Sequence, residues 1–234
     1  MRKISRTVWI LSLVSLFTDV SSEMLYPVMP LYLKSIGFSV VLIGILEGVA
    51  EATAGLSKGY FGKLSDVRAK RLPFVQLGYF FSALSKPMMA IFTWPLWVFS
   101  ARTLDRLGKG IRTGARDALL SAEATPQTRA TVFGFHRSMD TLGAAIGPLL
   151  ALAFLYFYPG SYRTLFFLAF VPGLIGIFTT FWIKEKPMEP SLATKRPGLL
   201  SFLKYIPNSK PEYRWLLGGL IALHFLIVRI YFCC

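Results

Sequence analysis

The sequence predicts an all-α protein that crosses a membrane several times. Three observations carry this. Of 234 residues, 54% are hydrophobic and 16% charged, where a soluble domain carries about 25% charged residues. Mean hydropathy is +0.53. Mostly apolar runs recur at about 20 residues, the length one helix needs to cross the hydrocarbon core. The charges are lopsided, 26 Lys+Arg against 12 Asp+Glu, for a net +14. On a soluble chain that balance would point to nucleic acid. Here the basic residues sit between apolar runs and not on one solvated face, so the expected partner is the lipid bilayer, not nucleic acid. Cys233 and Cys234 are the only cysteines. Adjacent and terminal, they make no disulfide framework, though such a pair can accept a palmitoyl group. Soluble globular enzymes and small disulfide-stapled secreted domains are excluded.

Seven spans follow in order: 8–33, 40–61, 73–93, 95–119, 132–156, 165–183 and 215–232. The first is too long for a cleaved signal peptide, lacks a small-residue cleavage site, and is followed at once by another span. Short links containing Gly37, Trp94 and Gly160 fall on one side, with only Lys34 and Arg163 as basic residues. The other side holds Arg2, Lys3 and Arg6, then Lys58, Lys63, Arg68, Lys70 and Arg71, then Arg116 and Arg129, and the basic stretch 184–214. The excess of Lys and Arg marks the cytoplasmic side. The amino terminus is therefore expected in the cytoplasm, and the protein in the plasma or inner membrane. The chain divides into a six-helix unit (1–183), a Pro- and Lys-rich cytoplasmic linker (184–214) and a seventh helix (215–234). Within the linker, 199–205 reads either as a short amphipathic helix on the inner leaflet or as part of an unstructured basic segment.

Ionisable side chains at bilayer depth cost roughly 2.5–3.5 kcal/mol each on insertion scales, so they face a polar interior and mark function. Span 1 carries Asp19 and Glu23, four apart and on one face, and span 2 carries Glu47 and Glu51 at the same spacing. Span 4 carries Arg102, Asp105, Arg106, Lys109, Arg112, Arg116 and Asp117, mostly on one stripe. Span 5 carries Arg137 and Asp140 beside His136; span 3 has only Lys86, and span 6 has none. Spans 1, 2, 4 and 5 are thus expected to surround an aqueous cavity, with 3 and 6 facing lipid. Asp19, Glu23, Glu47 and Glu51 are the candidates for proton or cation coupling. Arg102, Asp105, Arg106, Lys109, Arg137 and Asp140 are the candidates for holding a solute or balancing charge. A pair such as Arg137 and Asp140 has a blander reading, in which each merely neutralises the other. The cations of span 4 suit either an anchored carboxylate or a bound anion.

The loop after span 2 runs Gly62-Lys63-Leu64-Ser65-Asp66-Val67-Arg68-Ala69-Lys70-Arg71. It resembles the signature loop of the major facilitator superfamily, Gly-x-x-x-Asp-(Arg/Lys)-x-Gly-(Arg/Lys)-(Arg/Lys). Gly62, Asp66, Lys70 and Arg71 match; Val67 and Ala69 depart, removing a basic residue and a turn glycine, and Arg68 carries charge one place late. In span 4, Arg102 followed by Gly108 and Gly110 is similar to that family's pattern, with Asp105 and Arg106 departing from it. In span 5, Gly134, Gly143, Gly147 and Pro148 resemble the helix-packing motif of the family's antiporters, with Ala151-Leu152 where two glycines are expected.

The resemblance implies a six-helix bundle of two three-helix repeats, forming one half of a transporter that rocks about a central site. It implies that Asp66 contacts the second half as part of a conformational latch, with Arg68 or Lys70 bridging to Asp117. The implied activity is secondary active transport of a small solute, coupled to protons, with export or antiport favoured. About twelve helices are expected and seven are read, so the chain is expected to lack its second half or to pair with another copy. The alternatives are a non-transporting fragment or scaffold and a membrane enzyme. His136 and His224 lie far apart with no metal-spaced acidic cluster, no nucleophile–base pair stands out, and no phosphate-cradling loop ends in Lys-Ser/Thr. No enzyme, metal or cofactor is expected.

Overall fold

The computed structural model describes residues 4–185, 207 and 209–220. Among them the first unit is built from helices α1 (Arg6–Glu23), α2 (Met29–Ser35), α3 (Val40–Arg68), α4 (Leu72–Ile91), α5 (Pro95–Ala122), α6 (Arg129–Phe157) and α7 (Tyr162–Thr180), with no strand. The chain divides into two compact units, residues 1–196 and 197–234. In the second, residues 211–220 are helical. The segment 199–205, most of the seventh span, and Cys233 with Cys234 lie outside the described residues.

Local chemistry sets the helix ends. Ser5 caps α1 by accepting from the Val8 amide at 3.3 Å, and Ser39 caps α3 by accepting from Leu42 at 3.2 Å. Pro73 and Pro95 stand in the first turns of α4 and α5, where a missing amide hydrogen costs nothing. At the far end of α4 the Arg163 guanidinium donates to the carbonyls of Ala90 (2.8 Å) and Ile91 (2.7 Å), satisfying acceptors that no further turn can reach.

The sequence reads 8–33 as one span, but the helix is discontinuous there: α1 stops at Glu23 and α2 begins at Met29. Pro27 has no amide hydrogen for the Glu23 carbonyl, and its ring crowds that turn. The chain crosses the gap by tighter turns, such as Leu25 N–H to the Ser22 carbonyl at 3.2 Å and Val28 N–H to the Leu25 carbonyl at 3.1 Å.

α3 ends with Ala69 at φ 51°, in the left-handed region. This is the loop position where the resemblance expects glycine. A non-glycine residue there costs about 1–2 kcal/mol, while glycine gives back about 0.4–1 kcal/mol through the unfolded chain. Ala69→Gly should therefore raise stability by up to about 1 kcal/mol, and Ala69→Val should lower it, in detergent unfolding titrations.

Packing follows an interleaved pattern. α1 packs on α6 and α7, α5 packs on α3 and α4, and α4 packs on α7. Exchanging the first three spans for the second three leaves this pattern unchanged, so two three-helix repeats make one all-α bundle. α4 and α5 touch backbone to backbone. A Cβ added to Gly108 would lie 2.6 Å from the Gly78 carbonyl oxygen, and one added to Gly78 would lie 2.6 Å from that of Gly108.

One apolar cluster gathers Tyr32, Leu33, Met89 and Phe166 at one end of the bundle; a second gathers Leu11, Val75, Ile111 and Leu120 at the other. Buried polar residues such as Lys86, Arg102, Asp105 and Arg106 lie along the helices between them. α3, α6 and α7 are long and apolar enough, by length and composition, to cross a membrane. α1, α4 and α5 reach 18 residues or more and supply most of the buried polar side chains.

Candidate functional site

The centre of the polar layer is Asp105 on α5. It is 5% exposed and sits among donors from two helices. Ser82 donates to it at 2.6 Å and Lys86 at 3.3 Å, both from α4, and Arg102 approaches it at 3.5 Å from one turn earlier on α5. Lys86 is 2% exposed and also donates to the Ser82 carbonyl at 2.8 Å and to Ser22 on α1 at 3.3 Å. Span 3 therefore does not simply face lipid: one face of α4 turns Ser82, Ser85 and Lys86 into the bundle. Lys86 satisfies Asp105, and that mutual need holds it inside.

Arg102 meets Glu47 of α3 through a two-point contact, Nε to Oε1 and Nη2 to Oε2, each 2.8 Å. One turn on, Arg106 reaches Glu51 at 3.2 Å. The spacing of four on α3 matches the spacing of four on α5, so two ladder-like ion pairs join the helices. Of the two readings the sequence leaves for the span 4 cations, Arg102 and Arg106 take the first and anchor Glu47 and Glu51.

Asp19 and Glu23 are different. Half-buried on α1, they have no hydrogen bond or ion pair among the described residues. They line a cavity of about 30 Å³ together with Ser22, Tyr26, Ser82, Arg102, Asp105, Arg106, Lys109 and Arg112. A cleft of about 350 Å³ shares Tyr26 and Arg102 with it and continues along Pro27, Met29, Pro30, Leu33 and Ile43 to Glu47 and Glu51. The break between α1 and α2 thus opens onto both spaces.

A further polar group joins α1, α5 and α6. Arg116 donates to Ser15 at 2.9 Å and lies 3.2 Å from Asp117 and 4.0 Å from Asp140. His136 contacts Ser12 through Nδ1 at 3.3 Å and lies 3.6 Å from Asp140 through Nε2. Asp140 therefore faces Arg116 and His136, whereas Arg137 is exposed on α6. The sequence reading that Arg137 and Asp140 neutralise each other gives way to this. Three residues of separation only brings two side chains near one face; here the bundle interior takes one and leaves the other outside.

The stretch read as a loop from Gly62 is helical as far as Arg68, and only Ala69, Lys70 and Arg71 link α3 to α4. Asp66 pairs with Arg71 at 2.8 Å, and Arg71 donates to the Ala118 carbonyl at 3.1 Å. Glu185 then accepts from the amides of Arg71 (2.7 Å) and Leu72 (3.1 Å), a carboxylate at the start of α4. Asp117 turns to Arg116, Arg68 lies over the Phe74 ring at 5.8 Å, and Lys70 is exposed, so neither bridges to Asp117. Gly62 faces Gly114 of α5. In the glycine motif of α6, Gly143 and Gly147 press on the α1 backbone, Pro148 follows within the helix, and a Cβ added at Gly134 would meet open space.

The candidates drawn from sequence omit Lys86, Arg112, Arg116, His136 and Glu185. The first four carry a signal, a charge or imidazole inside a span. Glu185 does not, standing in a stretch read as linker.

Known proteins give the same architecture. Residues 11–233 match the model of the Major Facilitator Superfamily. An uncharacterized MFS-type transporter of Methanocaldococcus jannaschii is 35% identical over 186 residues, 80% of this chain and 46% of that protein. An uncharacterized protein of Mycobacterium tuberculosis (strain H37Rv) is 28% identical over 223 residues, 94% of this chain and 54% of that protein. The crystal structure of a bacterial homologue of the human lysosomal transporter Spinster, inward-facing and occupied, superposes with a TM-score of 0.66 at 15% identity, covering 80% of this chain and 46% of that one. The chain spans about half the length of the curated relatives it matches. On the family match and the shared six-helix bundle, it is a membrane protein that belongs to the Major Facilitator Superfamily.

Proposed function

We propose that this chain forms the first half of a secondary active transporter, moving a small solute across the cell membrane in exchange for or together with protons. The observation that carries the reading is the pair Asp19 and Glu23, carboxylates without an ion-pair partner among the described residues, lining a cavity inside the polar layer. Such groups at membrane depth are the usual means of carrying a proton. Glu47 and Glu51 are held by Arg102 and Arg106, so the proton role narrows to Asp19 and Glu23. The resemblance of the α6 glycines to the antiporter motif favours export. The distribution of Lys and Arg favours an amino terminus in the cytoplasm, and the second half of the transporter is either a further segment of the same protein or a second copy.

The test is proton-driven flux in vesicles reconstituted with the protein as the cell makes it. Asp19→Asn should abolish coupling, leaving solute movement that no longer responds to a pH gradient. Unchanged proton-driven flux in that variant would remove Asp19 from the mechanism. No flux for any solute, from a well-folded protein, would favour the non-transporting scaffold.

A further inference from the structure

The charges around the central cavity do not cancel locally. Arg102 and Arg106 are engaged by Glu47, Asp105 and Glu51, and Lys86 by Asp105. Lys109 and Arg112 of α5 remain, with Asp19 and Glu23 of α1 as the acids sharing their cavity. Neither cation makes a hydrogen bond or ion pair among the described residues. Arg112 is 5% exposed, its Nη1 has no hydrogen-bond partner, and its guanidinium lies over the Tyr79 ring at 4.7 Å. A buried guanidinium with an unmade donor is costly. The Tyr79 ring offers it cation–π attraction but accepts no in-plane hydrogen bond. Its planar donor set is suited to two oxygens of one carboxylate or phosphate. Lys109, one turn earlier and exposed, adds a second positive charge at the rim.

The adjoining cleft completes the picture. From the shared Tyr26 it runs past Pro27, Met29, Pro30 and Leu33, an apolar wall made possible by the break between α1 and α2; Glu47 and Glu51 also line it, each paired with an arginine. A site with a cationic end and an apolar flank matches a ligand with an anionic head and an apolar body.

We propose that Arg112 and Lys109 bind the carboxylate or phosphate head of an amphiphilic organic anion whose apolar body lies in the cleft along α2. Asp19 lines the same cavity, and its negative charge opposes the bound anion. This names the substrate class for the proposed transporter and rests on that reading for every step after binding.

The experiment measures binding to the protein as the cell makes it, purified in detergent, by calorimetry at neutral pH. The probes are benzoate, benzylamine and benzyl alcohol, which share a ring and differ in charge. Benzoate should bind at least about tenfold more tightly than the other two, the usual scale of one charge-assisted contact. Arg112→Gln should lose about tenfold or more of the benzoate affinity, and Lys109→Gln a smaller factor. Asp19→Asn should tighten benzoate by several-fold, an increase that a merely structural role for Asp19 would not produce. If Arg112→Gln does not fold, the opposite signs of Lys109→Gln and Asp19→Asn decide the matter. Oleate displacing benzoate, with displacement lost on Lys109→Gln, assigns the anion to a membrane lipid; benzoate binding without such displacement assigns it to a soluble source. Tighter binding of benzylamine, or a folded Arg112→Gln with unchanged benzoate affinity, overturns the proposal. Failure of the transport reading looks different: benzoate binds as expected, yet reconstituted vesicles carry no flux. Proton-driven flux of another solute with no benzoate binding overturns only the anion.

Discussion

Asp105→Asn should destabilise the folded bundle by about 3–5 kcal/mol, the cost of breaking a buried ion pair by removing one partner. The carboxylate is the only acid within reach of Lys86, whose other contacts are a serine hydroxyl and a carbonyl oxygen among the described residues. Asparagine keeps the shape but leaves the ammonium 2% exposed and uncompensated. Its amide oxygen can still accept from Ser82, but the amide nitrogen, a donor, then replaces the oxygen that faces Arg102 Nη1 at 3.5 Å. Arg102 suffers less, because Glu47 holds it at two points. The direct comparison is the double variant Lys86→Met with Asp105→Leu, which replaces both charges by apolar groups of similar volume. Removing both members of a buried pair is often neutral or even stabilising, so the double variant should recover most of the loss in an SDS-titration unfolding curve. Equal destabilisation of the single and double variants would show that Asp105 acts on the bundle through something other than Lys86.

The same residue shows how far a sequence can be read. That Asp105 lies at membrane depth, on one stripe with Arg102, Arg106 and Lys109, comes from steps of three and four along one helix. The helical bundle and its repeats are likewise legible from span lengths and the family resemblance. The partner of Asp105 is not. Helical spacing identifies a face but never the neighbour across it, and Lys86, a lone charge on an otherwise apolar span, gives no spacing to interpret. The same limit explains Glu47 and Glu51. Spacing marks them as candidates but does not decide whether span 4 anchors them, because the partner of Glu47, Arg102, stands 55 residues away. Arg137 and Asp140 mislead in the opposite direction: nearness along a helix suggests a pair, and the interior supplies Arg116 and His136 instead. The break after Glu23 is written in Pro27 and Pro30. The apolar residues flanking them mask it, because hydropathy counts composition and is blind to a missing amide hydrogen.

Gly143→Val should be the second severe change, and Gly134→Ala the control that separates packing from propensity. Both glycines lie in α6 and both belong to the same sequence motif. A Cβ at Gly143 would stand 2.7 Å from the Leu16 carbonyl oxygen and 3.0 Å from the Asp19 Cβ, and one at Gly147 would stand 2.8 Å from the Val20 carbonyl oxygen. Backbone atoms of α1 cannot swing aside as a flexible side chain can. A branched side chain at Gly143 must force the two helices apart, at about 1–3 kcal/mol or more for overpacking. Parting them would also displace Asp19 from the central cavity, so Gly143→Val should lower proton coupling beyond its effect on stability, while benzoate, freed of the opposing carboxylate, should bind no more weakly. At Gly134 a Cβ meets no atom within 4 Å. Alanine there removes the backbone freedom of a helix-interior glycine and should stabilise α6 by up to about 1 kcal/mol. If Gly134→Ala proves as damaging as Gly143→Val, the face of α6 carrying Gly134 is itself closely packed in the working protein. That face is where a second half or a second copy would then have to sit.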